Sequence, residues 1–336
     1  MPLFGPPDVA RLAAKGDLDG ILDALKYRRD WRVRQQAAGV LDGVKDPGVV
    51  EPLIAALKDE VSGVARAAAV ALGHSGDAQA VKPLLRALKS QAADVRAAAA
   101  DALGQCGDAQ VVEPLMATLA DKAWSVRRAA IMALGNIGDA RTLQALGSAM
   151  DDPDFNVRLA AADALVAIGA AATATLLSAL GSENPDVRRA SALALGRLGE
   201  AKAVRPLIDA VKDSDARVRN AAAVALGDIP DHRALGPLLI ALKDGDDEQL
   251  RHNAAEALGK LGDVRAVEPL TVTLADPIAH MRVAAAVALG KIRDPRAAES
   301  LQLARKDTHA TVRQAAETAL ACLRDGPHGD GSTRAL

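Results

Sequence analysis

Residues 93–121 read ADVRAAAADALGQCGDAQVVEPLMATLAD, and the chain repeats this phrase. It returns as SVRRAAIMALGNIGDARTLQALGSAMDD from Ser125, as DVRRASALALGRLGEAKAVRPLIDAVKD from Asp186 and as RVRNAAAVALGDIPDHRALGPLLIALKD from Arg217. Aligned on Val-Arg, the arginine falls at Arg34, Arg96, Arg127, Arg158, Arg188, Arg219, Arg251, Arg282 and Arg313, with Ala65 in the one vacant place. The step is 31 residues, adjusted by one around Arg188 and Arg251, so about ten copies cover nearly the whole chain. A fixed period of this length is the signature of a repeat architecture.

Each copy reads as two helices. In the second, V-R-x-x-A-A-x-A-L-G, apolar residues recur at three- and four-residue spacing, which is one face of a helix. Gly73, Gly104, Gly135, Gly196, Gly227, Gly259 and Gly290 follow the last apolar turn and are read as its stop. Asp77, Asp108, Asp139 and Asp263 then stand where a cap would accept backbone N–H bonds. The first helix is A-V-x-P-L-x-x-A-L-K-D. Its proline (Pro52, Pro83, Pro114, Pro206, Pro237, Pro269) lies either in the first turn, where a missing N–H costs little, or farther in, where it kinks the helix.

One helix pair cannot bury its apolar stripe, whereas stacked pairs can. The expected fold is all-α: a right-handed α-solenoid of about ten helical hairpins, with the second helices on the concave side. Residues 1–16 are expected to hold a capping helix, visible in PPDVARLAAK (6–15), residues 17–323 the repeats, and residues 324–336 a polar, Gly-rich disordered tail. The copies and their glycines resemble the HEAT-repeat superfamily, in the short form known from phycobilisome lyases. That resemblance implies a ladder between repeats, built from an Asp on the inter-helix loop and the Val-Arg arginine. Asp121, Asp152, Asp213, Asp276 and Asp307, each six residues before an arginine, are the loop candidates.

Composition narrows the function. The 336 residues are half apolar but only 1% aromatic, so Ala, Leu and Val must fill the interior. The net charge of −2 lacks the basic excess of a protein that lives on nucleic acid. Cys106 and Cys322 match no metal or redox spacing, and a reducing compartment suits them. The amino terminus lacks the pattern of a signal peptide and no apolar run reaches membrane-spanning length, so a cytoplasmic setting is expected.

Residues 26–34, KYRRDWRVR, look locally like a nucleic-acid patch, with Lys26, Arg28, Arg29, Arg32 and Arg34 around Tyr27 and Trp31. In register they are the loop and second-helix start of the first copy, one residue longer than usual, with Arg34 as its ladder arginine. The alignment also puts Trp31, Trp124 and Phe155 at one position, three residues before the arginine, where other copies carry Ser62, Ala93, Pro185, Ala216, Glu248, Ala279 and Ala310. Such variation in size indicates exposure; the alternative is that the rings fold over the loops and fill gaps. One and five residues after the arginine stand Arg128 and Met132, Leu159 and Asp163, and Arg189 and Leu193. Exposed apolar groups that cluster mark binding sites, and Trp, Arg and Met anchor interfaces. The partner-binding candidates are therefore Trp31, Trp124, Arg128, Met132, Phe155, Leu159, Arg189 and Leu193.

No nucleophile elbow, P-loop or dinucleotide turn occurs. None of the six histidines (His74, His232, His252, His280, His309, His328) precedes a Glu; His252 and His280 differ in phase, and each reads as a surface residue. No catalytic residue, metal or cofactor is expected. Asp101, Asp163, Asp228 and Glu256 share the concave face with the arginines and oppose a phosphate track. The leading reading is a non-enzymatic scaffold for a protein or peptide, with no membrane contact and an open oligomeric state. One alternative is a lyase- or chaperone-like subunit acting on a cofactor-bearing protein, implied by the resemblance alone. The other is nucleic-acid binding through the first copy.

Overall fold

A computed structural model describes residues 6–324 except 108 and 245. The described residues are all helix, turn and loop. The chain divides into two compact units, with the division in the sequence between Ala172 and Thr173. The first holds a cap helix, Val9–Ala14, and five hairpins: Leu18–Leu25 with Trp31–Val40, Val50–Ala56 with Ser62–Ser75, Val81–Ala87 with Ala93–Cys106, Val112–Thr118 with Trp124–Ile137, and Leu143–Ala149 with Phe155–Ile168. The second holds five more: Thr173–Ala179 with Pro185–Leu198, Val204–Ala210 with Ala216–Asp228, Leu235–Ala241 with Glu248–Leu261, Val267–Thr273 with Ala279–Ile292, and Ala298–Ala304 with Ala310–Arg324. Beyond residue 324 the expected tail lies outside the described residues, as does the Asp108 cap.

The first helices are short because a single 3-10 turn precedes each of them after the first hairpin. Asp77, Asp139 and Asp263 cap those turns, each accepting the backbone N–H of the residue two farther on. Each proline is then the third residue of its α-helix, among the four N–H positions that have no partner within the helix. The first-turn alternative is thus the right one, and no kink is needed.

The second helices do not stop where the sequence puts their stop. Gly73, Gly104, Gly135, Gly196, Gly227, Gly259 and Gly290 lie inside helices that run one or two residues farther, to Ser75, Cys106, Ile137, Leu198, Asp228, Leu261 and Ile292. The stop is a later residue, for example Gly138, which ends its helix in the left-handed conformation at φ 72°. The earlier glycines serve packing. A Cβ on Gly104 would sit 2.6 Å from the Cα of Ala133, and one on Gly135 would sit 2.7 Å from the Cβ of Ala164. From the second hairpin on, neighbouring second helices within each unit therefore touch backbone to backbone. First helices touch mainly their own partner and the next turn. The second helices are therefore the closely spaced row of each unit.

The core is the regular part of the pattern. Leu72, Leu103, Leu134 and Leu165 on second helices, and Leu53, Leu84, Leu115 and Leu146 on first helices, are fully buried. Leu195, Leu226, Leu258 and Leu289 repeat the arrangement in the second unit.

An arginine–aspartate ladder locks the hairpins together. Arg96 shows the pattern: its Nε and Nη2 donate to the Asp121 carboxylate at 2.6 and 2.8 Å, and its Nη1 donates to the carbonyl oxygens of Ser90 and Gln91 at 2.8 and 3.0 Å. Asp121 also accepts the N–H of Ala123 at 2.9 Å. One side chain thus ties its own loop to the next. The first unit has rungs Arg34–Asp59, Arg96–Asp121 and Arg127–Asp152. The second has Arg188–Asp213, Arg219–Asp247, Arg251–Asp276 and Arg282–Asp307. The extra residue of the first loop shows in Arg34, whose Nη1 reaches back seven residues, to the Tyr27 carbonyl, where Arg96 and Arg127 reach back six.

The Arg96 guanidinium holds the Asp121 carboxylate below its ordinary pKa against an opposing effect of burial. The same bond, from Arg282, brings Asp307 down to about 2.

Candidate functional site

The exposed side chains depart from the period where the core obeys it. Among the described residues of the first unit the large exposed apolar groups are Trp31, Trp124, Met132, Phe155 and Leu159, all on second helices. Trp31, Trp124 and Phe155 are each the first residue of a second helix. Trp124 is 46% exposed and Phe155 60%, so the rings are not buried under the loops. The Arg32 guanidinium lies 4.8 Å above the Trp31 ring, and that of Arg158 5.8 Å from Phe155.

Arg128, Met132 and Leu159 line one groove between the fourth and fifth hairpins. The cavity is about 310 Å³, with a floor of Gly135, Ala160, Ala164 and Ala167 and with Asn136, Asn156 and Asp163 at its walls. Its floor is low because Gly135 and the alanines carry little or no side chain. A second cavity, about 380 Å³, shares Arg128, Met132 and Asn136 and extends to Val70, Asp101 and Gln105. The two form one groove over the second helices of hairpins two to five. Asp101 also lines it.

The structure does not gather all eight candidates. Arg128, Met132 and Leu159 share the groove, and Trp124 and Phe155 head the two helices that form it. Trp31 belongs to the first hairpin, far along the row. Arg189, exposed, and Leu193, half-buried, lie on Pro185–Leu198 in the second unit. Asn136 escapes a sequence reading because it follows Gly135, taken there as the end of the helix. Asn156 stands two residues before Arg158, at a position the alignment does not flag.

Other expectations change. His252 and His280 are out of phase in sequence, yet neighbouring helices bring their rings to 5.7 Å, and His280 pairs with Glu248 at 2.9 Å. His252 is half-buried rather than a plain surface residue. Among the described residues no three His, Cys, Asp or Glu side chains form a metal-ligand group. In the basic first loop, Arg34 is taken up by Asp59 and Arg32 by Trp31 and Asp30. Lys26, Arg28 and Arg29 remain exposed. Among the described residues no helix is long and apolar enough to cross a membrane.

A family model described as HEAT repeats matches residues 18–103, 81–166, 112–181, 173–252 and 236–321. No curated protein matches the chain. Among solved structures, yeast importin-beta (Kap95p) aligns with a TM-score of 0.67 at 16% identity, over 94% of this chain and 52% of its own. A Kap95:Nup1 complex gives 0.69 at 16% identity over 96% and 53%. Kap121p gives 0.65 at 15% identity over 92% and 41%. The chain spans about half the length of these structures or less, and at such identities the likeness is one of fold.

Proposed function

Because the chain belongs to the HEAT-repeat family, a fold whose similar structures include one solved as a Kap95:Nup1 complex, we propose that it is a non-enzymatic scaffold holding a protein or peptide segment along its second-helix face. The observation that carries this reading is the convergence of Met132, Leu159 and Arg128 on one groove headed by exposed Trp124 and Phe155. A groove of this size accepts an apolar side chain between Met132 and Leu159. Trp124 and Phe155 flank it as rigid aromatic anchors, and Arg128 and Asn136 supply polar contacts, the mix found at interface hot spots. The ladder fixes the helices in advance, so little order is lost on this side when the segment binds. Trp31 belongs to the proposed surface as an outlying contact, Arg189 and Leu193 are proposed as partner contacts of the second unit by itself, and the cytoplasm is the proposed compartment.

Peptide display on the intact protein tests this. Wild-type protein should enrich peptides that share an apolar anchor, and Trp124→Ala with Phe155→Ala should lose them at least tenfold while keeping the wild-type circular dichroism spectrum. Enriched peptides that bind the double variant as tightly would remove the groove from the proposal.

A further inference from the structure

The ladder lacks one rung within the first unit, and a basic cavity opens there. Rungs join residues 25 apart at Arg34–Asp59, Arg96–Asp121 and Arg127–Asp152. At the joint of the second and third hairpins the same two positions are Ala65 and Ser90, so cation and anion are missing together. A cavity of about 260 Å³ lies beside Ser90, on the first-helix side. Lys58, Arg86 and Lys89 line it, all three exposed, and none has an ion pair or side-chain hydrogen bond among the described residues. The nearby Asp59 is committed to Arg34. Ile54, Leu57 and Val95 give the cavity an apolar floor.

Lysine at the end of a first helix is ordinary here, since Lys212 and Lys243 occupy the same place. The joint differs in two respects. Ser90 replaces the aspartate that stands next to Lys58 and Lys212, and Arg86 holds a position that is Ala55, Ala117, Asp209 or Ile240 in other hairpins. The first helices Val50–Ala56 and Val81–Ala87 both end at the cavity, and each C-terminus contributes roughly half a negative charge. Three cations therefore leave about two positive charges, matching a phosphomonoester, which carries roughly −1.5 to −2 at pH 7.

From this juxtaposition of a missing rung, three unpaired cations and an apolar floor, we propose that the joint binds an organic phosphomonoester, its phosphoryl group between Lys58, Arg86 and Lys89 and its apolar body on Ile54 and Leu57. The site is separate from the groove headed by Trp124 and Phe155. Calorimetric titration of the full chain with phenyl phosphate tests it, with phenol and inorganic phosphate as comparisons. Phenyl phosphate should bind more tightly than either. Arg86→Gln with Lys89→Gln, exposed changes that leave the melting curve in place, should weaken it by about tenfold or more. Ala65→Arg with Ser90→Asp, which rebuilds the rung and restores a carboxylate beside the cavity, should abolish it. Trp124→Ala should leave it unchanged. A phosphotyrosine peptide that binds more tightly than phenyl phosphate identifies the source as a modified protein; equal or weaker binding identifies a small molecule. No heat with phenyl phosphate, equal binding of phenol, or unchanged affinity in the Arg86→Gln, Lys89→Gln protein would overturn the assignment.

Discussion

Hairpins four and five carry Trp124, Met132, Phe155 and Leu159 where hairpins seven and nine carry Ala216, Val224, Ala279 and Val283. Beneath these side chains the two regions are the same. Leu134 and Leu165 in one, and Leu226 and Leu289 in the other, are fully buried. Arg127–Asp152 and Arg282–Asp307 are rungs of one geometry. Gly135 meets Ala164 as Gly259 meets Ala288. The interior is written once and repeated, and the surface is written separately for each copy. A side chain that breaks the period on the exposed face therefore has no structural duty to explain it, and individuality between copies marks a place to look for function.

The largest test of the shared interior is Leu134→Ala against Leu289→Ala. Each should destabilise by about 3 kcal/mol, from lost transfer energy plus a cavity, read as a shift in denaturant midpoint. A twofold difference between them would show that the two regions are less alike than their packing. Rungs come next. Arg96→Ala and Arg282→Ala should each cost about 2 kcal/mol, less than a wholly buried pair because both carboxylates keep some solvent.

Acid addresses the same rungs. A carboxylate with a depressed folded-state pKa adds stability above its unfolded value of about 3.9, and that stability is lost as pH falls through the folded value. For Asp307 the folded value is about 2. Melting temperature should therefore hold between pH 5 and 8 as far as the rungs decide it, and should drop between about pH 4 and 2, with a shallower drop in Arg282→Ala. The smallest effect on stability belongs to Trp124→Ala with Phe155→Ala, about 1 kcal/mol or less because each ring keeps roughly half of its surface in water. The same pair should have the largest effect on peptide binding. A large loss of stability instead would make the rings part of the core.

The period made the fold legible. Val-Arg every 31 residues places the helices, their buried leucines and the loop aspartates, because each depends only on local pattern and on an identical neighbour. What the period hides is distance between backbones. Gly135 reads as a stop because a glycine after an apolar turn usually is one, and only the 2.7 Å approach of Ala164 shows that it is a contact. That misreading shortened the helix and removed Asn136 from view. The pairing of His252 with His280 was hidden for a related reason: they differ in phase by three residues along the chain, and the contact forms between neighbouring helices. The Trp124 and Phe155 position was legible because only the alignment of copies reveals it, whereas Trp31 shares the position and not the groove.

The joints that link hairpins three, four and five are made by the same clasp, with a guanidinium reaching 25 residues ahead and a glycine set against an alanine. Such a clasp holds no record of which two copies it joins. Molecular length is consequently an editable quantity: splicing in one more copy adds a link without inventing a fastening, and exchanging two copies reorders the decoration along the row while leaving the thread intact.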